Sequence, residues 1–395
     1  MTGSPIELRL DAALAAFRTE VRAFLAAEMA PERTRLHADP TDLTGLDLAF
    51  EQAHQRRAGE RGYLAISAPV AYGGGGRPPS WRAVYSFEAA YYDAPSIDTA
   101  MTLCGAALLA SASEEQKLRL IPPMARGEVL WCLAYTEPGA GSDLSCVAST
   151  ATPVGDGFVL DGEKALVTGA HKAELCLTIA RTSWSPPSRE GLTMFVVDLA
   201  SPGVTVRRRQ TANGWTLGEL VFDGVQLDAA SVVGEVGAGW RQMAAALVDE
   251  RSGAAHLGWA TRLLDDLWEW AVTSARDDAC EPIAALRADL AVGYRLAERV
   301  LARQDASEPA HVEAAMSKVW VTELLQRIAR TGQDVVGVDA LAWSPLFGEN
   351  APAVTLSGRL AYERIERIHP TISVGANELQ RDTIARAALS LGAKR

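Results

Sequence analysis

The chain has 395 residues, of which 48% are hydrophobic and 22% charged, enough to bury a large core spread over roughly two or three domains. Its net charge of −11 sets nucleic acid and anionic membrane surfaces aside as partners, although a local basic patch could still grip a phosphorylated ligand. Its cysteines (Cys104, Cys132, Cys146, Cys176, Cys280) are odd in number and form no CxxC pair, which fits buried thiols in a reducing compartment rather than a disulfide scaffold.

After Met1–Pro5 the chain enters LRLDAALAAFRTEVRAFLAAEMA, an amphipathic stretch broken by charges. No apolar run there is long enough for a signal-peptide core or a membrane span, so the expected location is the cytoplasm. Apolar residues at three- and four-residue spacing predict a helical domain over 1–128, divided by loops at Ala38–Thr44 and Tyr72–Ser80. Within the second loop, Gly73–Gly76 reads as a turn rather than a phosphate cradle. From 129 to 229 the texture changes to β-branched, alternating runs: CLAYTEP, GFVLDGEKALVTGA, LCLTIARTS, TMFVVD, VTVRRR and ELVFDGVQL, separated by Gly, Pro, Asn and Ser turns. Over 230–395 the helical period returns, with helices predicted at Trp240–Ser274, Ala284–Arg303, Val312–Thr331 and Leu379–Leu391.

The order helices, strands, helices predicts an α+β fold with a central antiparallel sheet, because no βαβ alternation occurs. No GxGxxG follows a strand; Gly237-Ala238-Gly239 opens a helix but lacks the third glycine. The histidines (His37, His54, His171, His256, His311, His369) form neither HExxH nor a Cys/His cluster at metal-ligand spacing, and no GxSxG elbow is present. Metal-dependent and serine hydrolases therefore have no motif here, and no metal is expected.

The most informative segment is Tyr135–Asp143, YTEPGAGSD, which leaves a strand and enters an irregular loop with two glycines two residues apart. Such a loop can present backbone N–H groups and the Thr136 and Ser142 hydroxyls to an acceptor-rich ligand, or can be a plain tight turn; composition alone allows both.

YTEPGAGSD followed by a strand pair resembles the flavin-binding signature of the acyl-CoA dehydrogenase family. Further segments resemble that family in the same order: GYLAISAPVAYGG (62–74), ASEEQKLRLIPPMARGE (112–128), FDGVQLDAASVVGEVGAGW (222–240) and NELQRDTIAR (377–386). The resemblance implies a helical, β and helical domain layout, FAD as cofactor, an acyl thioester substrate, an electron-transfer flavoprotein as electron acceptor, and a homotetramer or dimer of dimers. It also implies that Leu133, Tyr135, Thr136, Gly141 and Ser142 contact FAD, with Ser142 near the flavin phosphates or the thioester tail. Leu166 and Thr168 lie where the family runs Trp-Ile-Thr against the isoalloxazine, with leucine in place of tryptophan. Arg276 stands in the place of an arginine that grips the pyrophosphate of a neighbouring subunit's FAD, but Ala279 and Cys280 replace its Phe and Gly partners. Gln333, Gly337 and Glu378 fall at further cofactor-contacting positions.

The family reaction removes a proton α to a thioester while a hydride leaves the β carbon, and therefore needs a carboxylate of raised pKa. In many members it is the Glu of a Tyr-Glu-Gly-Thr run; this chain reads Ser373-Val374-Gly375-Ala376, and Val374 cannot take a proton. Glu250 shares a helical stripe with Met243, Leu247, Ala254 and Leu257, and burial there would raise its pKa. The pair Glu250-Arg251 matches members whose base lies on this helix. Glu250 is thus either the base or only the partner of an arginine such as Arg251. The Val374 N–H, with Gly375 beside it, would still serve the thioester oxygen. Alternatives are a non-catalytic subunit of a mixed assembly and a flavin oxygenase. Whether the acyl group rides on CoA or on a carrier protein is open, since both present the same pantetheine arm.

Overall fold

The computed structural model describes residues 8–39, 42, 45–95, 99–184, 189–246, 253–344, 346–347 and 356–391. They fall into two compact units, one formed by Met1–Asp47, Arg77–Ser96 and Arg251–Arg395, the other by Leu48–Gly76 and Ile97–Glu250.

The first unit is helical. Helix α1 (Ala12–Glu28) starts at Asp11, whose carboxylate accepts from the Leu14 N–H at 2.8 Å, and a short turn, α2 (Pro31–Thr34), follows. Helix α4 (Pro79–Tyr91) opens on proline, which costs no hydrogen bond in a first turn. Its buried Glu88 carboxylate receives the Nε of Arg18 (2.5 Å) and of Arg22 (2.9 Å) from α1, so the charge taken out of water is paired twice. Helices α8 (Ala254–Thr273), α9 (Asp277–Asp305) and α10 (His311–Val336) share an apolar core that includes Leu257, Leu264, Ile283, Leu290, Val321 and Ile328. Helices α4 and α8 cross closely at Gly258, where a Cβ would stand 2.2 Å from the Phe87 carbonyl oxygen. Helices α11 (Leu356–Glu366) and α12 (Asn377–Ala387) complete the unit; α11 was not among the predicted helices.

The second unit combines helices α3 (Leu48–Glu60), α5 (Ala106–Ser111) and α6 (Glu114–Ala125), a π-helical segment Thr99–Gly105, and a sheet. Ser113 and Gln116 cap α6 reciprocally, each side chain bonded to the other's backbone N–H. The strands are β1 (Trp131–Ala134), β2 (Thr150–Val154), β3 (Gly157–Thr168), β4 (Leu175–Arg181), β5 (Leu192–Asp198), β6 (Val204–Gln210), β7 (Thr216–Leu227) and β8 (Val232–Val233). They follow the order β6-β7-β3-β2-β4-β5-β8, with β1 paired to β4 off that path. One face packs a core of Cys132, Leu160, Cys176, Phe195, Leu220 and Phe222. Helix α7 (Gly239–Ala246) closes the unit.

The expected α+β fold with an antiparallel-rich sheet is present with a local exception, and one predicted helix needs correction. The sheet is not wholly antiparallel: β1 runs parallel to β4, from Trp131 opposite Leu175 to Ala134 opposite Thr178, and β2 meets β4 in parallel at Thr150 and Arg181. A parallel neighbour needs a long crossover, and β2 with β3 supply it between β1 and β4, a pairing that local pattern does not encode. Nor is Trp240–Ser274 one continuous helix. Gly253 precedes α8 with φ 76°, a left-handed conformation that no right-handed helix contains, so the stripe linking Met243 to Ala254 and Leu257 loses its helical premise. The expected turn at Gly73–Gly76 is present, and its four N–H groups bond to the carbonyls of Val70, Pro69, Ala65 and Ala68, leaving none to cradle a phosphate. Among the described residues no helix is long and apolar enough to cross a membrane, and no group of His, Cys, Asp and Glu could hold a metal ion.

Candidate functional site

In the second unit, YTEPGAGSD leaves β1 and folds first into a tight turn: the Glu137 N–H donates to the Ala140 carbonyl (2.8 Å) and the Ala140 N–H returns to Glu137 (3.1 Å). Beyond the turn the loop is open. A Cβ built on Gly139 or Gly141 meets no atom within 4 Å. The N–H groups of Gly139, Gly141 and Ser142 make no hydrogen bond among the described residues, and Gly141 and Ser142 are exposed. The segment is therefore both a turn and a set of unused donors, the arrangement an acceptor-rich ligand requires.

The loop is held by a buried ion pair that pattern reading did not single out. Glu137 accepts from the N–H groups of Ala148 (2.6 Å) and Ser149 (3.1 Å) and from Lys164 Nζ (2.7 Å), and Lys164 Nζ also donates to the Ile179 carbonyl at 2.7 Å. Burial pushes the Glu137 carboxyl up, but Lys164 and these donors outweigh it and hold the group below the usual carboxylate range. Burial pulls the Lys164 ammonium down. Arg181 braces the next stretch, donating from Nε to the Val147 carbonyl (3.0 Å) and from a terminal nitrogen to the Ser145 carbonyl (2.8 Å).

Of the residues expected to face a flavin, Leu133 and Thr136 are half-buried, and Thr136 accepts the Ala165 N–H through its carbonyl at 2.9 Å. Tyr135 is buried and its hydroxyl points to Met194 Sδ at 3.6 Å, so its polar end is turned into the core. Burial pushes that phenol up. Leu166 sits in a bulge where the β3–β7 register breaks between Lys164 and Val167, holds φ 57°, and presents a side chain 68% exposed. A leucine in the left-handed region is a strained, single-purpose conformation that here aims an apolar side chain away from the core. Thr168 lies two residues on, opposite Leu217 of β7. Through the Ala165–Thr136 bond, the strand that carries the exposed Leu166 side chain adjoins the loop with the open N–H groups.

In the first unit, Val374 and Gly375 are consecutive left-handed residues, with φ 52° and φ 84°. A β-branched residue there is a genuine outlier, so the turn is enforced by its surroundings. Lys318, on α10 and only 5% exposed, donates its Nζ to the Gly375 carbonyl at 2.6 Å; Gln380 of α12 donates Nε2 to the same oxygen at 3.2 Å. The Gln380 Oε1 is buried and has no partner among the described residues, an acceptor still open to a donor group. Close by in charge terms, burial first, and then Arg367, Lys318 and His369, push the His256 imidazole down to about 3. That ring is neutral at physiological pH.

The remaining cofactor positions are placed as follows. Arg276 is exposed and clasped by Asp278, Nε to Oδ1 at 2.8 Å and a terminal nitrogen to Oδ2 at 2.7 Å, so its guanidinium already has a carboxylate partner two residues away. Gln333 bonds the Ala340 carbonyl at 3.4 Å, Gly337 ends α10 with φ 87°, and Glu378 lies exposed in the first turn of α12. Glu250 and Arg251 lie outside the described residues. The Glu137–Lys164 pair, Arg181 and Lys318 were missed because their partners lie 27, 34 and 57 residues away, and Gln380, only five residues from Gly375, because periodicity does not describe a bond from a helix start back to a turn.

Family models match nearly the whole chain: acyl-CoA dehydrogenase N-terminal domain over residues 11–128, middle domain over 132–225 and C-terminal domain over 237–389. The chain is 31% identical over 394 residues to "Acyl-CoA dehydrogenase IpdE1" of Mycobacterium tuberculosis, covering 95% of this chain and 97% of that one. Among solved structures it is similar to the "Tcur3481-Tcur3483 steroid ACAD" (TM-score 0.88, 25% identity, 98% and 100% of the two chains covered). It is also similar to the ChsE4-ChsE5 complex from Mycobacterium tuberculosis (TM-score 0.86, 26% identity, 98% and 99% covered).

Proposed function

This chain belongs to the acyl-CoA dehydrogenase family of FAD-dependent enzymes, and on that premise we propose that it dehydrogenates an acyl thioester with Glu250 as the base. FAD, when bound, accepts the hydride that leaves the β carbon. The protein's own part is to bind, orient and deprotonate.

Glu250 takes the α proton. The observation that carries this assignment is the turn at Ser373–Gly375, which keeps a left-handed backbone at Val374 yet offers no carboxylate, so the base has to come from elsewhere. Glu250-Arg251 is the Glu-Arg pair that the resemblance supplies. The Val374 N–H donates to the thioester oxygen, with Gly375 shaping the turn, and withdraws charge from the α carbon as the proton leaves. Ser142 and Arg251 orient the thioester arm. Leu166 and Thr168 back the flavin ring; Leu133, Tyr135, Thr136 and Gly141 shape its loop. Arg276, Gln333, Gly337 and Glu378 serve the cofactor's tail in this reading. The protein works in the cytoplasm as a homotetramer or dimer of dimers, and an electron-transfer flavoprotein reoxidises it.

A panel of acyl thioesters, on CoA and on carrier protein and including bulky ring systems, tests the reading through anaerobic bleaching of the visible flavin band. Glu250→Gln should keep that band and slow bleaching at least about a hundredfold, the usual worth of a positioned base. Unchanged bleaching in this variant rejects Glu250.

A second reading, a non-catalytic subunit of a mixed assembly, draws on Arg276 being clasped by Asp278 and on Leu166 standing at the aromatic position. Two solved relatives are named as pairs of chains. A flavin band in the purified chain, bleached by a thioester, eliminates it.

A further inference from the structure

We infer that Lys318 is a positioning residue for the reaction: its ammonium fixes the Gly375 carbonyl and thereby holds the Val374 N–H in the strained orientation that serves the thioester oxygen. The inference rests on the thioester reading above and adds a role that the motifs do not carry.

Left-handed backbone at two successive positions, the first of them β-branched, is disfavoured at the non-glycine residue and does not persist without restraint. The restraints converge on one atom. The Gly375 oxygen accepts from Lys318 Nζ at 2.6 Å, the shorter and charge-assisted bond, and from Gln380 Nε2 at 3.2 Å. Lys318 is itself anchored mid-helix on α10, at 5% exposure, with little freedom to swing away. One turn on, Thr322 of α10 bonds Asn377, whose Nδ2 donates to Thr322 Oγ1 and to Glu323 Oε1, each at 3.1 Å. The turn is thus tied to α10 at Gly375 and again two residues later at Asn377, and of the two donors on the Gly375 oxygen Lys318 is the charged one.

A donor that acts on developing charge has to be held before the charge appears, since any reorganisation is added to the barrier. Lys318 does this at one remove: it touches neither the substrate nor the cofactor in this assignment. Loss of its bond should therefore depress α-proton removal more than substrate binding.

The test uses the FAD-loaded full-length enzyme and a 3-thiaacyl thioester on the carrier preferred in the panel, a probe that can lose an α proton but cannot be dehydrogenated by the same route. Exchange of its α hydrogen in deuterated water is followed by mass spectrometry, binding by calorimetry, and folding by thermal melting and FAD content. Lys318→Met should slow exchange at least about tenfold while the dissociation constant changes less than about threefold, and Lys318→Arg should recover part of the exchange. A merely structural role would lower the melting point and leave exchange per folded molecule unchanged, and that result overturns the inference. If Lys318→Met does not fold, Gln380→Leu removes the weaker donor to the same oxygen: slowed exchange supports the restraint and unchanged exchange overturns it. Failure of the unmodified enzyme to exchange or dehydrogenate any thioester overturns the thioester reading itself, and so is distinguishable from failure of Lys318 alone.

Discussion

Glu137 and Lys164 hold the Tyr135–Asp143 loop from the interior. Their pair is almost wholly buried, with side chains 6% and 0% exposed, and removing one partner leaves the other charged group in the interior. Glu137→Gln is expected to destabilise the protein by about 3–5 kcal/mol at neutral pH, measured by urea unfolding. Because the folded carboxyl is held below its usual value, its contribution is complete above the unfolded carboxylate range and disappears as pH falls through the folded value. The penalty of the substitution should therefore shrink on acidification, and a penalty constant with pH would show that Glu137 is not bound as an anion. At this scale the sequence was legible where a motif is contiguous. YTEPGAGSD announced a donor-rich loop, and the loop has unused N–H groups. It was silent on Lys164, 27 residues from its partner, and on Lys318, 57 residues from Gly375, because neither position carries a local signal.

Among the elements, long amphipathic helices were readable and their ends were not. α9 and α10 fall where the spacing puts them, extended to Asp277–Asp305 and His311–Val336. The misreading of Trp240–Ser274 as one helix has a definite cause: apolar spacing continues across Gly253, while its left-handed φ cannot belong to a right-handed helix, and periodicity does not register a backbone angle. The parallel β1–β4 pair escaped for a related reason, since strand neighbours are chosen by tertiary packing. Glycine also has a packing role that composition hides. Gly258 allows α4 and α8 to approach until the Phe87 carbonyl oxygen lies where a side chain would begin. Gly258→Ala should force the helices apart and cost at least about 2 kcal/mol, read as a lower urea midpoint. A stability within experimental error of the parent would mean that the crossing is looser than 2.2 Å implies.

For the molecule as a whole, a ligand that binds only the folded chain adds its binding free energy to stability. FAD at a hundredfold excess over its dissociation constant should contribute about 2.7 kcal/mol, so stripping it should lower the melting temperature and readdition restore it. An apoprotein that melts where the loaded enzyme does would contradict folded-state binding. The sheet also has two borders to protect. One is β8, just two residues long; the other is β6, where Arg207, Arg208 and Arg209 stand exposed in a row. A bare border strand is a template on which identical chains can stack, and this protein offers in one place almost no length and in the other a run of like charge that repels its own copy. Those arginines, conspicuous in an acidic chain and with Arg209 paired to Glu219 of β7 at 2.8 Å, make this border a charged edge rather than an apolar template for a second copy.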